Sequence, residues 1–258
     1  MMVATEGLVP RLLAQEVEYT AARAGVIGRR PGNPFGVAMR REGAVFACQV
    51  AGVPSPWLNR VIGLGEAQAG LVPGLRAWFG DVAPRLEATP DSMGPALGRA
   101  LVAAGLLPED GDALVCGAGR GGAMPDGVAP VEDAAALEAF LEAHLVGLEL
   151  PAEVREGAKP NMRGWLGVPG FQLLLAREGG VAAGACALHR QDGQTYVADM
   201  STRPEWRGRG VQTRLLAAAH ALHGEGGIVW ARCRFLSQSH RNLQRAGLQT
   251  LCTTMFWR

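Results

Sequence analysis

Lysine is almost missing from this chain: Lys159 is the only one, and every other fixed positive charge is an arginine. Tyrosine is nearly as scarce, with Tyr19 and Tyr196 alone among 258 residues. The five cysteines, Cys48, Cys116, Cys186, Cys233 and Cys252, never fall within four residues of one another. That spacing spells neither a zinc knuckle nor a redox pair. An odd number of widely spaced thiols suits reduced cysteines and a cytoplasmic location. No segment approaches about 20 uninterrupted apolar residues, so no membrane span is expected. Met1–Gln15 carries acids and has no long apolar core, so it does not read as a secretory signal. The net charge is only +1, which gives no general pull toward nucleic acid or anionic membrane. Nor are the arginines interleaved with aromatics in one stripe, as a single-strand binder requires. Abundant Arg, Ala and Gly beside so little Lys is what a GC-rich genome yields without any functional cause.

What is present is core-forming material. Hydrophobic residues make up 48% of the chain, enough to bury a proper interior, and the length allows one large domain or two of ordinary size. Apolar periodicity predicts a helix over Pro10–Ala24. Strands follow at Phe35–Met39 and Val45–Val50 around a tight turn, then at Leu58–Leu64. A short helix at Gly74–Phe79, a strand at Arg85–Ala88, a helix at Met93–Leu107 and a strand at Ala113–Cys116 complete the first half. Gly117–Gly127 is then too rich in glycine for an element interior. No Lys-Ser or Lys-Thr pair follows it, so it is not a P-loop; it reads as a connector between domains.

The pattern then restarts. A helix is predicted over Ala134–Val146 behind Val131-Glu132-Asp133, whose acids suit a helix start. Strands at Phe171–Arg177, Val181–His189 and Thr195–Thr202 follow. A helix at Val211–Leu222, a strand at Ile228–Arg232, a helix at Ser239–Ala246 and a strand at Thr250–Trp257 close the chain. Both halves share one order of elements, which points to a duplicated fold. The expected domains are 1–117, a Gly-rich linker at 118–127, and 128–258.

The chemistry concentrates in Arg207-Gly208-Arg209-Gly210-Val211-Gln212, a Gly-rich loop between a strand and a helix. Gly208 and Gly210 allow a tight turn and close approach of a ligand. The amides of Arg209 to Thr213, Gln212 included, then point outward at a helix N-terminus, where they bind phosphate oxygens. Arg207 and Arg209 add charge-assisted bonds, and a diphosphate is the natural occupant.

This loop resembles the pyrophosphate loop of the GNAT family of acyl-CoA-dependent N-acyltransferases. The family pattern is Gln or Arg, two residues, Gly, one residue, then Gly or Ala; here Gln212 stands in place of the final small residue, so its longer side chain must turn away from the diphosphate. Ser239–Leu248 resembles the family's second block, a helix ending in Gly plus an apolar residue. The resemblance implies an α/β (α+β) fold of two GNAT-like domains, each a mixed, mostly antiparallel twisted sheet flanked by helices. The N-terminal one is degenerate, because Glu66–Gly70 stands where the Arg-Gly-x-Gly run would be. It further implies acetyl-CoA as co-substrate, no metal, and an amine-bearing small molecule or peptide as acceptor. Transfer would be by direct attack in a ternary complex. Met200, Ser201 and Thr202 would line the thioester and pantetheine arm, with Ser239 and Asn242 contributing from the later helix; helix capping is the alternative role for Ser237 and Ser239.

The acid and base are less determinate. Family members often carry a Tyr acid where this chain has Leu243. Tyr196 and Asp199 are the catalytic candidates on the central strand, against readings as a wall aromatic and a structural acceptor. Asp199 alternates to the face opposite Tyr196 and Met200. His189 is a further possible base, Glu205 a solvated loop acid, Cys233 an apolar filler, and Trp165 either an acceptor-groove wall or core. The competing functional reading is a non-catalytic acyl-CoA-binding regulatory or interaction protein. A fused pair of related folds leaves monomer and homodimer both open.

Overall fold

The computed structural model of the chain describes residues 7–258; the first six residues of the Met1–Gln15 segment lie outside the described residues. The chain divides into two compact units, one reaching to Leu114 and regaining Leu251–Arg258, the other spanning Val115–Thr250.

In the N-terminal unit, α1 (Leu8–Gly28) precedes the hairpin β1 (Val37–Glu42) and β2 (Val45–Val50). β3 (Arg60–Ile62), α2 (Val72–Phe79), β4 (Arg85–Ala88), α3 (Pro95–Ala103) and, as far as Leu114, β5 (Pro108–Arg120) follow. β2 shows how a near-continuous apolar run makes a two-layer core. Val45 and Ala47 join Val72, Leu75 and Phe79 of α2 and Leu97 and Leu101 of α3. Phe46, Cys48 and Val50 face the other way, onto Val17, Ala24 and Ile27 of α1. Each buried Val, Leu, Ile or Phe among these stabilises by about 1.5–3 kcal/mol. One charged group interrupts this core. Arg60 donates two bonds to Glu87, at 2.7 and 2.8 Å, and one to Glu16 at 2.7 Å, and all three are buried.

Two features depart from the sequence reading. β5 continues through Gly117 and Gly119 to Arg120, so the glycine run opens as strand and the irregular stretch begins only afterwards. Close packing requires it: a Cβ on Gly119 would stand 2.5 Å from the carbonyl oxygens of Gly224 and Gly226. The last strand also departs. β11, which follows all other elements at Gln249–Trp257, pairs antiparallel with β4, placing Met255 opposite Ala88 and Trp257 opposite Leu86. Its residues from Leu251 therefore complete the N-terminal unit rather than a domain spanning 128–258. There Phe256 is buried beneath the Arg85 guanidinium, 4.0 Å from the ring centre.

The C-terminal unit holds β6 (Val128–Pro130), α4 (Ala134–Gly147), α5 (Ala152–Met162), β7 (Phe171–Glu178), β8 (Val181–Gln191) and β9 (Gln194–Thr202). α6 (Val211–His223), β10 (Glu225–Arg234) and α7 (Gln238–Arg245) follow. Asp133 caps α4 by accepting from the Ala136 amide at 2.7 Å, the role its position predicts. The strands run β10-β9-β8-β7-β6, antiparallel except for β10 with β9. That one parallel pair is joined by the crossover helix α6. The two units are thus each a mixed, largely antiparallel sheet flanked by helices.

Candidate active site

β9 is irregular where the site lies. Ala185 of β8 stands opposite Ser201, while Ala187 stands opposite Ala198, so two steps on β8 answer three on β9. The additional residue is a bulge in this stretch, where Asp199 sits at φ 47, a left-handed conformation Asp tolerates better than most residues. The bulge exchanges the strand's faces. Thr195 Oγ lies 2.7 Å from Nδ1 of His223, at the end of α6. Ser201, an even number of positions further on, lies instead 3.1 Å from Nδ1 of His144 on α4. A Cβ on Gly184, which pairs with Thr202, would meet Val211 of α6 at 2.6 Å. Thr202 is therefore on the α6 face and Ser201 on the other. Simple alternation, which set Asp199 against Tyr196 and Met200, does not survive the bulge.

The same segment parts from its parallel neighbour. Gln194–Val197 pair with Ile228–Ala231, and the register ends there. From Ala198 to Thr202 the edge of β9 toward β10 is left without that strand partner. Backbone groups on such an edge need other partners.

The loop beyond β9 leads into a helix N-terminus through two glycines. After the short turn Pro204–Trp206, Gly208 and Gly210 adopt φ 77 and φ 76. Open space surrounds the position a Cβ would take at either residue. Gly210 is the N-cap of α6, and no side chain among the described residues caps this end. The first bond of the helix runs from the Arg214 amide to the Gly210 carbonyl, at 3.0 Å, so the amides of Val211, Gln212 and Thr213 precede it. These are the amides a helix leaves orphaned, at its positive end.

The two loop arginines are not equivalent. Arg207 is taken: its guanidinium donates to Glu149 at 2.7 Å, to the Gly147 carbonyl at 3.1 Å and to the Thr202 carbonyl at 3.4 Å. Arg209 lies over the Trp206 ring, 4.8 Å from its centre, with no acidic partner among the described residues. Gln212 turns to α7. Its Nε2 donates to Ser239 Oγ at 3.0 Å, and its Oε1 accepts from Asn242 at 2.6 Å. Ser239 and Asn242 are thereby brought beside the loop, each bonded to Gln212. Ser237, not Ser239, caps α7, accepting from the His240 amide at 3.1 Å.

The remaining candidates are placed as follows. Tyr196 stacks on Trp230, with ring centres 4.0 Å apart and an 11° interplanar angle, in the paired part of β9. Asp199 is half-buried at the bulge. Burial, with the Asp199 carboxylate nearby, pushes the thiol of Cys186 well above its ordinary value. Leu243 is buried in the core. His189 packs edge-on against Phe171 at 5.5 Å, and Trp165 is a buried neighbour of His144 and Phe171. Glu205 pairs with Arg203 at 2.7 Å, and Cys233 is buried. The His144–Ser201 contact and the capture of Arg207 by Glu149 had no local signal in the sequence, because each joins residues more than 50 positions apart.

Residues 137–246 match the model of the acetyltransferase (GNAT) family. They form a GNAT-family acetyltransferase domain. The GNAT fold extends over the rest of the chain. A GCN5-related N-acetyltransferase from Kribbella flavida is similar at 19% identity and TM-score 0.61, covering 94% of each chain. A tandem GNAT protein from the clavulanic acid biosynthesis pathway is similar at 17% identity and TM-score 0.55, covering 99% of this chain and 96% of its own. A functionally unknown conserved protein from Staphylococcus epidermidis is similar at 10% identity and TM-score 0.65, covering 86% of this chain and 94% of its own. No curated protein matches the sequence. The GNAT family uses acetyl-CoA or CoA, and residues 137–246 carry the match to it. Among the described residues, no cluster of three or more His, Cys, Asp or Glu side chains could hold a metal. No described helix is long and apolar enough to cross a membrane.

Proposed function

We propose that this chain transfers an acetyl group from acetyl-CoA to a primary amine of a small molecule or peptide. The observation that carries the reading is the pair of left-handed glycines, Gly208 and Gly210, ahead of an uncapped helix and beside the point where β9 and β10 part. The residues fit an acyl-CoA. Amides from Arg209 to Thr213 hold the diphosphate, Arg209 adds charge, and the free edge at Met200, Ser201 and Thr202 aligns the pantetheine arm. Ser239 and Asn242 close the side of the groove through Gln212.

When bound, acetyl-CoA supplies an acetyl group activated as a thioester. The chain supplies position and electrostatics. A backbone N–H on the β9 edge stabilises negative charge on the carbonyl oxygen under attack. The acceptor must arrive as a neutral amine, and we assign Asp199, at the bulge, the task of taking its proton. Tyr196 acts as a wall through its stack on Trp230. A thiol of ordinary pKa about 8.5 leaves acceptably without a dedicated acid, which suits a buried Leu243 on α7.

The test is Gly208→Glu. It puts a carboxylate where the diphosphate sits; the space is open, and the strain of a side chain at φ 77 costs about 1–2 kcal/mol, so the fold survives while CoA binding by calorimetry is lost. Unchanged affinity for CoA rejects the assignment. Leu243 also favours a second reading, an acyl-CoA-binding regulatory or interaction protein without turnover. Acetyl-CoA consumption against a broad amine panel separates the two: tight binding with no consumption supports the second.

A further inference from the structure

We propose that the N-terminal unit carries a separate site for an uncharged amphiphile, a molecule with an apolar body and a single hydroxyl or amide head. β3 and β4 run parallel and pair only at Arg60 with Arg85 and Val61 with Leu86. Beyond those pairs the two strands lead into separate turns, and a cavity of about 380 Å³ opens beside their carboxyl ends. Crevices at the carboxyl ends of adjacent parallel strands are where open sheets bind ligands, and this volume lies in the range of small-molecule pockets.

The lining defines the ligand. Leu13 and Val17 of α1, Phe46 of β2, and Ile62 and Leu64 at the exit of β3 make apolar walls. The charged lining residues are mostly neutralised within the protein. Glu87 is held by Arg60 through both carboxylate oxygens, and Glu18 pairs with Arg41 at 2.9 Å. Asp91 is exposed, at the solvent edge. One polar group is left over inside. Thr254 of β11 lines the cavity with 1% of its surface exposed, and its hydroxyl has no hydrogen-bond partner among the described residues. A buried hydroxyl without a partner is destabilising; a ligand head that accepts from or donates to it relieves that cost, while the walls take the alkyl body.

CoA itself does not suit this site. Where the C-terminal unit has its glycine loop, the chain here forms a tight helical turn, Glu66–Leu71, that runs straight into α2, and the Val72 amide already donates to the Ala69 carbonyl. Glu66 moreover brings a negative charge, accepting from the Ala96 and Leu97 amides at 3.0 Å. These bonds hold its carboxyl below the usual glutamate range.

Octanamide is the probe, titrated into the full-length protein by calorimetry with and without saturating CoA. The expected result is binding to wild type that CoA does not displace. Thr254→Val keeps the shape and removes the hydroxyl, and weakens binding about fivefold, the effect of one net hydrogen bond. Ala14→Trp, at an exposed α1 position on the cavity wall, blocks the mouth and abolishes binding without disturbing the core, so it carries the test even where Thr254→Val fails to fold. The proposal is overturned by absence of octanamide binding to wild type, by an affinity unchanged in Ala14→Trp, or by competition with CoA.

Discussion

Arg207 and Arg209 occupy similar places in the sequence motif and different places in the structure, and mutating each in turn tests the site sharply. Arg207 spends its guanidinium on Glu149 and on the carbonyls of Gly147 and Thr202. Arg209 stands over Trp206 and is the one loop guanidinium ready for a phosphate. A hydrogen bond to a charged group contributes about 1.5–3 kcal/mol, and solvent at this exposed loop reduces that toward about 1 kcal/mol. Arg209→Ala should then raise the Kd for CoA by about five- to tenfold, with a fold-change that shrinks as salt is added. Arg207→Ala removes a half-exposed ion pair of the class contributing about 0–1 kcal/mol to stability, so the Kd for CoA should rise less than about threefold. Calorimetric titrations of both variants at low and high salt decide the matter. A Kd that suffers as much in Arg207→Ala as in Arg209→Ala would refute the division of labour drawn from the structure.

Three further outcomes are expected. Arg60→Ala removes the cation that bonds both buried Glu16 and Glu87, leaving Glu87 its longer contact with Arg85 at 3.4 Å, and should destabilise the N-terminal unit by about 3–5 kcal/mol in denaturant titration; a loss under about 1 kcal/mol contradicts the buried ion group. His220 is buried with neither ring nitrogen bonded among the described residues. Burial, then the charges of Arg120 and His223, depress its pKa, so the unfolded chain takes up the proton first, near about pH 6.5. Stability from this site is therefore full above that pH and lost as the pH falls. His220→Leu should flatten the wild-type decline in Tm between neutral pH and pH 5, and an unaltered slope refutes the assignment. Gln212→Ala removes two side-chain bonds to α7 and should lower stability by about 1–2 kcal/mol while leaving the Kd for CoA within about threefold; a larger loss of affinity would mean that the side chain reaches the ligand after all.

The elements legible in the sequence are those whose signals are local. The apolar run of Val45–Val50 and the glycines at 208 and 210 each act within a few residues; the structure has the strand, and the glycines make their tight turn at positive φ. What stayed hidden depends on distant partners. The bulge at Asp199 exists only relative to β8. β5 tolerates its glycines because Gly119 must pass close to Gly224 and Gly226, more than a hundred positions away. The last strand alternates as any strand does, and nothing local shows that Met255 will sit opposite Ala88. Arg207 looked like a phosphate ligand because Glu149, far off in sequence, could not be seen to reach it.

Comparison of the two units shows how little separates a frame from a site. Each follows a strand, a turn and a helix into a second, parallel strand. In the C-terminal unit the turn contains two glycines at positive φ, so the chain reverses before the helix and delivers it with its first amides free. In the N-terminal unit the turn coils directly into α2, those amides are engaged from within, and an acidic residue stands at the entrance. An anion is favoured in one place by the helix end and by Arg209, and is opposed in the other by Glu66. The sheet supplies the parted strands in both units; the residues of one short turn decide which of them fits the diphosphate of the proposed acyl-CoA.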